Sequence, residues 1–409
     1  MSTETAAPST PTPTPLPDLR SLPVPFPKTE RQAECMALAE RLGAFAAERA
    51  PAHDREGSFP HESIEALRAS GYPALTVPQE FGGWGADPLE LALAQERLAR
   101  GDGSVGLGSW MHLGLMARQA TTRTWPATIF ERVCREVVTE GALVNAAASE
   151  PAMGSPSRGG LPSTTAVRTP DGWLINGRKS WASLAPALKY AVVMATVEDD
   201  GQPPRRANFL VPMATPGVRV EPTWDTLGMR GTGSHDIVLE DALVPLDVRL
   251  PGEEAPGVGD PRGWNVASGA VYTGIAVAAR DFAVEYARGR RPSGQQGASI
   301  AEYQAVQHRV AEMDMLILQS RSIVYGTAEA WVERPELRDA LAWQVNASKY
   351  VATNNAIRVT DLALRVVGSA GLARSLPLER YFRDARAGLG NPPMDDIALG
   401  LIGKAALGL

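Results

Sequence analysis

Three stretches of the 409-residue chain place side chains in patterns suited to chemistry. In "ASEPAMGS" (148–155), Ser149 and Ser155 stand beside Gly154, so hydroxyls and backbone N–H groups can meet the phosphate or carbonyl oxygens of a ligand. In "GRKSWAS" (177–183), Trp181 precedes Ser183 by two residues. On an extended strand those two share a face, and a flat ring lying on the indole would find a hydroxyl at its edge. In "RDARAGLGNPPMDD" (383–396), a charged helix end runs through two glycines into Asn391, Pro392 and Pro393, then Asp395 and Asp396. Neither glycine nor proline suits a helix interior, so this is a built corner between helices. Taken singly, a Gly-Ser turn is usually only a turn and a strand tryptophan usually core.

The elements that must position these groups change character along the chain. From about Thr29 to Gly141 the apolar pattern is helical, with Leu38, Leu42 and Phe45 at i, i+4 and i+7. From about Ala142 to Leu250 short β-branched runs bounded by Gly, Pro or Asp predict strands, among them "YAVVMATV", "ANFLVPM" and "DIVLEDALVP". The segment "PGEEAPGVGDPR" has no packing face, and helical patterning then resumes to Leu409. The expected organisation is a disordered Pro/Thr-rich tail (1–28), a helical domain (29–141), a middle β domain (142–250), a linker (251–262) and a C-terminal helical bundle (263–409). The fold class is mainly α with a central β domain.

Composition removes several functions. Apolar residues make up 44% and charged residues 21%, as in a globular chain. A net charge of −6 gives no electrostatic reason for a nucleic acid or an anionic membrane as partner. Cys35 and Cys134 sit in helix-like runs as small core residues and build no disulfide framework. The five histidines show no zinc spacing, and neither a P-loop nor a G-x-G-x-x-G follows a strand. No signal or transit peptide is evident and no apolar run reaches membrane-spanning length, so a cytoplasmic location is expected.

The order and spacing of the motifs resemble the acyl-CoA dehydrogenase superfamily over nearly the whole chain after the tail. The resemblance is carried by "FPHESIEALRASGYPALTVPQEFGGWG" and "ERLARGD", then "SEPAMGS", "GRKSW" and "LGMRGTGSHDIVLEDALVP", then "YARGRRPSG", "IAEYQAVQ", "VVGSAG" and "LERYFRDAR". It implies a helical domain, a small β-barrel-like domain and a C-terminal four-helix bundle, with bound FAD and usually a homotetramer. By the same resemblance, Ser149, Gly154 and Ser155 match the family's flavin-contacting turn, and Trp181 and Ser183 match the strand beside the isoalloxazine. Arg290 matches the arginine that reaches a neighbouring subunit's FAD, although Ser293 replaces the usual phenylalanine. Gly368 and Gly371 match the glycine turn near the pyrophosphate. Arg365 stands where the family mostly has glutamine, and can still pair with phosphate.

Dehydrogenases of the family use a carboxylate base to take the α-proton while flavin takes hydride from the β-carbon. Counted from "RDAR", the position of the usual glutamate holds Pro392, and the base position used by a minority holds Trp264, followed by Asn265. Neither side chain abstracts a proton. One reading keeps α,β-dehydrogenation of an acyl-CoA-like thioester, with Asp395 or Asp396 as a non-standard base, and base rates favour it. The alternative is the family's monooxygenase branch, with FMN as a further possible cofactor and a flavin reductase or electron-transfer protein as partner. That chemistry needs a dry pocket and a proton donor, for which His235 in "GTGSHD" and His112 in "SWMHLG" are candidates. The third is a catalytically silent flavin-binding scaffold.

Overall fold

Asp87, Pro88 and Glu90 spell a helix start, and the chain uses all three. The Asp87 carboxylate accepts from the N–H groups of Leu89 and Glu90, both at 2.8 Å, while Glu90 Oε2 accepts from the Asp87 N–H at 3.1 Å. This reciprocal cap begins the helix that joins the two helical parts of the molecule. The computed structural model describes residues 25–151, 160–198, 203–251, 259–294 and 297–409.

Among the described residues, six α-helices precede the sheet: α1 (Glu30–Ala47), α2 (Ala50–Glu56), α3 (His61–Ala69), α4 (Pro88–Gly101), α5 (Gly103–Thr122) and α6 (Ala127–Glu140). The strands are β1 (Val144–Ala147), β2 (Thr165–Thr169), β3 (Gly172–Lys179), β4 (Tyr190–Glu198), β5 (Arg205–Pro212), β6 (Val218–Glu221), β7 (Asp236–Val244) and β8 (Arg249–Leu250). They form one sheet in the order β6-β7-β3-β2-β4-β5-β8, and β1 pairs with β4. Along one edge of β4, β1 takes Tyr190–Val193 and β2 takes 196–198, both in parallel. The other pairings are antiparallel. Val193, Ala195 and Val197 are buried, which fits the continuous apolar run that marks this strand in the sequence.

The chain closes with α7 (Val266–Gly289), α8 (Gln304–Glu333), α9 (Arg338–Val367), α10 (Leu378–Ala385), α11 (Ala387–Gly390) and α12 (Asp395–Leu407). The long helices α7, α8 and α9 pack together, and α4 lies along α7. Gly274 permits that approach, since a Cβ there would stand 2.4 Å from the Glu96 carbonyl oxygen. The architecture is mainly helical with a central sheet, as the sequence predicts. Among the described residues, no helix is long and apolar enough to cross a membrane.

Glu96 on α4 ties the first helices to the bundle. Its buried carboxylate meets Arg321 Nη2 at 2.5 Å and Arg97 Nη1 at 2.9 Å, and accepts the Tyr325 hydroxyl. Burial alone would raise the carboxyl, but Arg321 and Arg97 hold it down at about 2. Its contribution to stability is therefore present above the ordinary 4.5 and lost as pH falls toward about 2. Arg321→Met removes the doubly bonded partner of this buried carboxylate, leaving Arg97 and Tyr325, and should cost up to about 3–5 kcal/mol, read as a large fall in the thermal midpoint. Arg135→Met, at an exposed pair with Glu131, should change stability by at most about 1 kcal/mol.

Candidate functional site

Strand β3 ends at Lys179, so Trp181 and Ser183 do not share a strand face. The reason lies in where the next N–H groups go. Ser180 donates to the Ser149 carbonyl (2.9 Å), Ala182 to that of His235 (3.2 Å) and Leu184 to that of Thr232 (2.9 Å). Two separate segments, at Ser149 and at Thr232–His235, claim the backbone, and no ladder continues. Trp181 takes φ +62° and Leu184 φ +65°, a left-handed conformation that costs a non-glycine residue about 1–2 kcal/mol. The strained turn holds the Trp181 indole out, 64% exposed, with its edge on Trp224 at 5.0 Å. Ser183 is buried beside it, and its Oγ lies 2.8 Å from Ser234 Oγ. An exposed indole face beside a buried hydroxyl fits a planar conjugated ring.

An ion pair fixes this turn from behind. Glu150 and Lys179 are both fully buried and meet at 2.5 Å. The remaining capacity of Glu150 is filled by the N–H groups of Ser163 (2.7 Å) and Thr164 (3.0 Å) and by the Ser163 hydroxyl (2.5 Å). Burial pushes the Glu150 carboxyl up, yet Lys179, Ser163 and Thr164 together bring it down to about 2. Ser149 is half-buried and linked to the turn through its carbonyl. Gly154 and Ser155 lie outside the described residues.

The two histidines differ in kind. His235 Nδ1 accepts the Trp224 N–H at 3.0 Å, so the ring proton sits on Nε2. Burial lowers its pKa, with Asp236 opposing, and the neutral ring holds Trp224 under Trp181. His112 is a cross-link rather than a flavin-facing group. Its Nδ1 accepts the Val144 N–H (3.0 Å), its Nε2 donates to the Pro73 carbonyl (3.0 Å), and burial takes its pKa down to about 4.

At the Pro392-Pro393 corner, Lys349 of α9 is buried and donates to the carbonyls of Gly388 (2.5 Å) and Pro393 (2.9 Å). Asn391 donates to the hydroxyl of Tyr272 on α7 at 2.6 Å. Pro392 itself is exposed. Asp395 and Asp396 open α12, where carboxylates meet the positive helix end. Asp395 Oδ2 accepts from Asn354 at 3.0 Å, its buried Oδ1 has no partner among the described residues, and Asp396 is exposed. Trp264 donates from Nε1 to Thr121 Oγ1 at 2.8 Å. Its neighbour Asn265 lines a cleft of about 330 Å³ with Trp343, Asn346 and Leu401.

Arg290, Arg365, Gly368 and Gly371 collect where α7 and α9 end and α8 begins. The exposed Arg290 guanidinium has no partner among the described residues. Arg365 pairs with Asp361 at 2.8 Å. Gly368 ends α9 with φ +73°, and Gly371 is buried against Leu364 and Leu378. Within one chain the structure thus groups Ser149, Trp181, Ser183 and His235, and no described contact joins Arg290, Arg365, Gly368 or Gly371 to that group.

Residues 32–124, 145–242 and 265–391 match, in turn, the N-terminal, middle and C-terminal domains of acyl-CoA dehydrogenase. The chain belongs to the acyl-CoA dehydrogenase family. It is 38% identical over 374 residues to the putative acyl-CoA dehydrogenase YdbM of Bacillus subtilis (strain 168), covering 91% of this chain and 97% of that protein. Butyryl-CoA dehydrogenase from Megasphaera elsdenii shares its structure with a TM-score of 0.81 and 25% identity, over 94% of this chain and all of the other (100%). KijD3, solved with FMN and a dTDP-linked amino keto sugar, has a TM-score of 0.79 and 28% identity, over 93% of this chain and 95% of its own.

In this acyl-CoA dehydrogenase family member the site and the corner also use Glu150, Lys179, Thr232, Ser234 and Lys349, which hydroxyl and glycine turns alone do not single out. A signal existed for two of them, since "GTGS" alternates hydroxyls just before His235. Lys179→Met should raise the Glu150 carboxyl from about 2, because burial is then opposed by Ser163 and Thr164 alone. Thermal midpoints of wild type and variant from pH 2 upward check this: the variant should be less stable, and the gap should widen as pH rises from about 2.

Proposed function

We propose that the protein is a flavin-dependent oxidoreductase working on the oxygen-activating side of its family, with FAD or FMN as cofactor. The observation that carries this is the corner at 391–396. A proline ring stands at the base position, Lys349 and Tyr272 fix the backbone around it, and the following carboxylates are either bound to Asn354 or exposed. Removal of an α-proton has no positioned acceptor there.

The described residues fit the cofactor. Trp181 offers a face, Ser183 an edge contact, and Ser149 belongs to the turn assigned to the flavin. Arg290, Arg365 and the Gly368–Gly371 turn, joined to Trp181 by no described contact, are assigned to the flavin of a second copy in a homotetramer. The FMN carried by KijD3, which is similar over nearly its whole length, supports this reading. A bound flavin, once reduced, supplies the two electrons that activate oxygen. The chain's own work is to offer the Trp181 face, braced by Trp224, and to hold a proton at His235 Nε2. Electrons would come from a flavin reductase or an electron-transfer protein in the cytoplasm, and the substrate is a small molecule.

Dehydrogenation of an acyl thioester is the second reading, favoured by the buried Asp395 Oδ1, which has no partner among the described residues. Stopped-flow reoxidation of the reduced holoprotein separates the two. The oxygenase reading expects fast reaction with oxygen through a transient whose absorbance matches neither the oxidised nor the reduced state. Slow reoxidation, with flavin reduced by an acyl thioester and turnover falling roughly two to four orders of magnitude in Asp395→Asn, gives the answer to dehydrogenation instead.

A further inference from the structure

Behind Trp181 three hydroxyls and a carbonyl form an unbroken row. Thr232 Oγ1 lies 2.9 Å from the Met229 carbonyl oxygen and 2.8 Å from Ser234 Oγ, which lies 2.8 Å from Ser183 Oγ. All three hydroxyl residues are buried, so water does not compete along the row. The row holds three contacts and three hydroxyl protons, and the count fixes its direction. A carbonyl only accepts, so the Thr232 proton goes to Met229. The Ser234 proton then goes to Thr232, and that of Ser183 to Ser234. Any other assignment sets two oxygen lone pairs against each other across a buried contact, which carries the penalty of an unmade hydrogen bond. Ser183 Oγ is left with lone pairs alone.

We infer that Ser183 selects the redox state of the flavin: it is a fixed hydrogen-bond acceptor, made so by Ser234 and Thr232, that favours a ring nitrogen bearing a proton over a bare one. The inference rests on the flavin reading above. Two-electron reduction adds a proton to a ring nitrogen that is bare in the oxidised form. An acceptor opposite a bare nitrogen repels it, whereas the same acceptor opposite an N–H gains a bond, a difference on the order of tenfold in affinity. The site would therefore take up reduced flavin in preference to oxidised flavin, which suits a protein fed by a separate reductase. Ser183 alone does not supply this preference. A free serine hydroxyl turns its proton toward a bare nitrogen and serves both states, so the selectivity resides in the positioning residues Ser234 and Thr232.

The experiment measures binding of oxidised and anaerobically reduced FMN and FAD to the full-length protein, together with the midpoint potential of the bound flavin. Wild type should bind the reduced form at least tenfold more tightly. Ser234→Ala frees the Ser183 proton and should reduce that ratio about tenfold, equivalent to a fall of about 30 mV in midpoint potential for a two-electron couple. Thr232→Val removes the other end of the row and should move the ratio in the same direction, while Thr232→Ser keeps the hydroxyl and should leave it unchanged. Intact flavin binding with the same ratio in wild type, Ser234→Ala and Thr232→Val overturns the selector and leaves the flavin reading standing. A wild type that binds neither form in either redox state overturns the flavin reading, and the selector with it.

Discussion

The buried Lys179–Glu150 pair is the constraint on which the site depends. A strand that ends with an ammonium inside the protein must meet a carboxylate there, because neither charge has water to turn to. That requirement stops β3 at Lys179, anchors the 149–151 turn beside it and releases the next residues to other partners. Trp181 becomes a left-handed, exposed indole and Ser183 a buried hydroxyl as consequences of one ion pair. The pair contributes geometry first, since much of its attraction is spent against desolvation.

The turn is coupled to the C-terminal helices through Met229. Its carbonyl accepts both Trp224 Nε1 (3.0 Å) and Thr232 Oγ1, so it anchors the aromatic pair and the hydroxyl row together. Its N–H donates to Asp384 Oδ1 of α10 at 2.6 Å. Burial pushes the Asp384 carboxyl up to about 7 against the pull of that N–H and of Arg380. Gly228 makes the approach possible, because a Cβ there would lie 2.5 Å from the Arg383 backbone. Placement of Trp181 and placement of the helix leading to the 391–396 corner thus share one residue.

The fold was legible because its signals are periodic and local. The helical spacing of α1 and the continuous apolar run of β4 each follow from one element's own residues. Family membership was legible from ordered motifs spread over the chain. The geometry at Trp181 was not, since period-two reasoning extends a strand until a breaker appears, and here the breaker is Lys179, a residue usually solvated. Its burial depends on Glu150, twenty-nine positions earlier. The neutral, cross-linking role of His112 was hidden for the same reason: its partners, Pro73 and Val144, come from different elements. Lys349 could not be matched to the corner it clamps by any rule of spacing, because its acceptors are backbone carbonyls about forty residues onward.

On the proposed reading, what separates this chain from the dehydrogenases it resembles is the missing proton acceptor at Pro392, in a corner bound by Lys349 and Tyr272. The direct measurement is exchange at the substrate α-carbon. The flavin-loaded protein would be incubated with a panel of saturated acyl-CoA thioesters in D2O, and deuterium at the α-carbon followed by mass spectrometry. The account predicts no incorporation above a protein-free control for any chain length. Enzyme-dependent α-deuteration that disappears in Asp395→Asn would contradict it and would establish a working base where the structure supplies none.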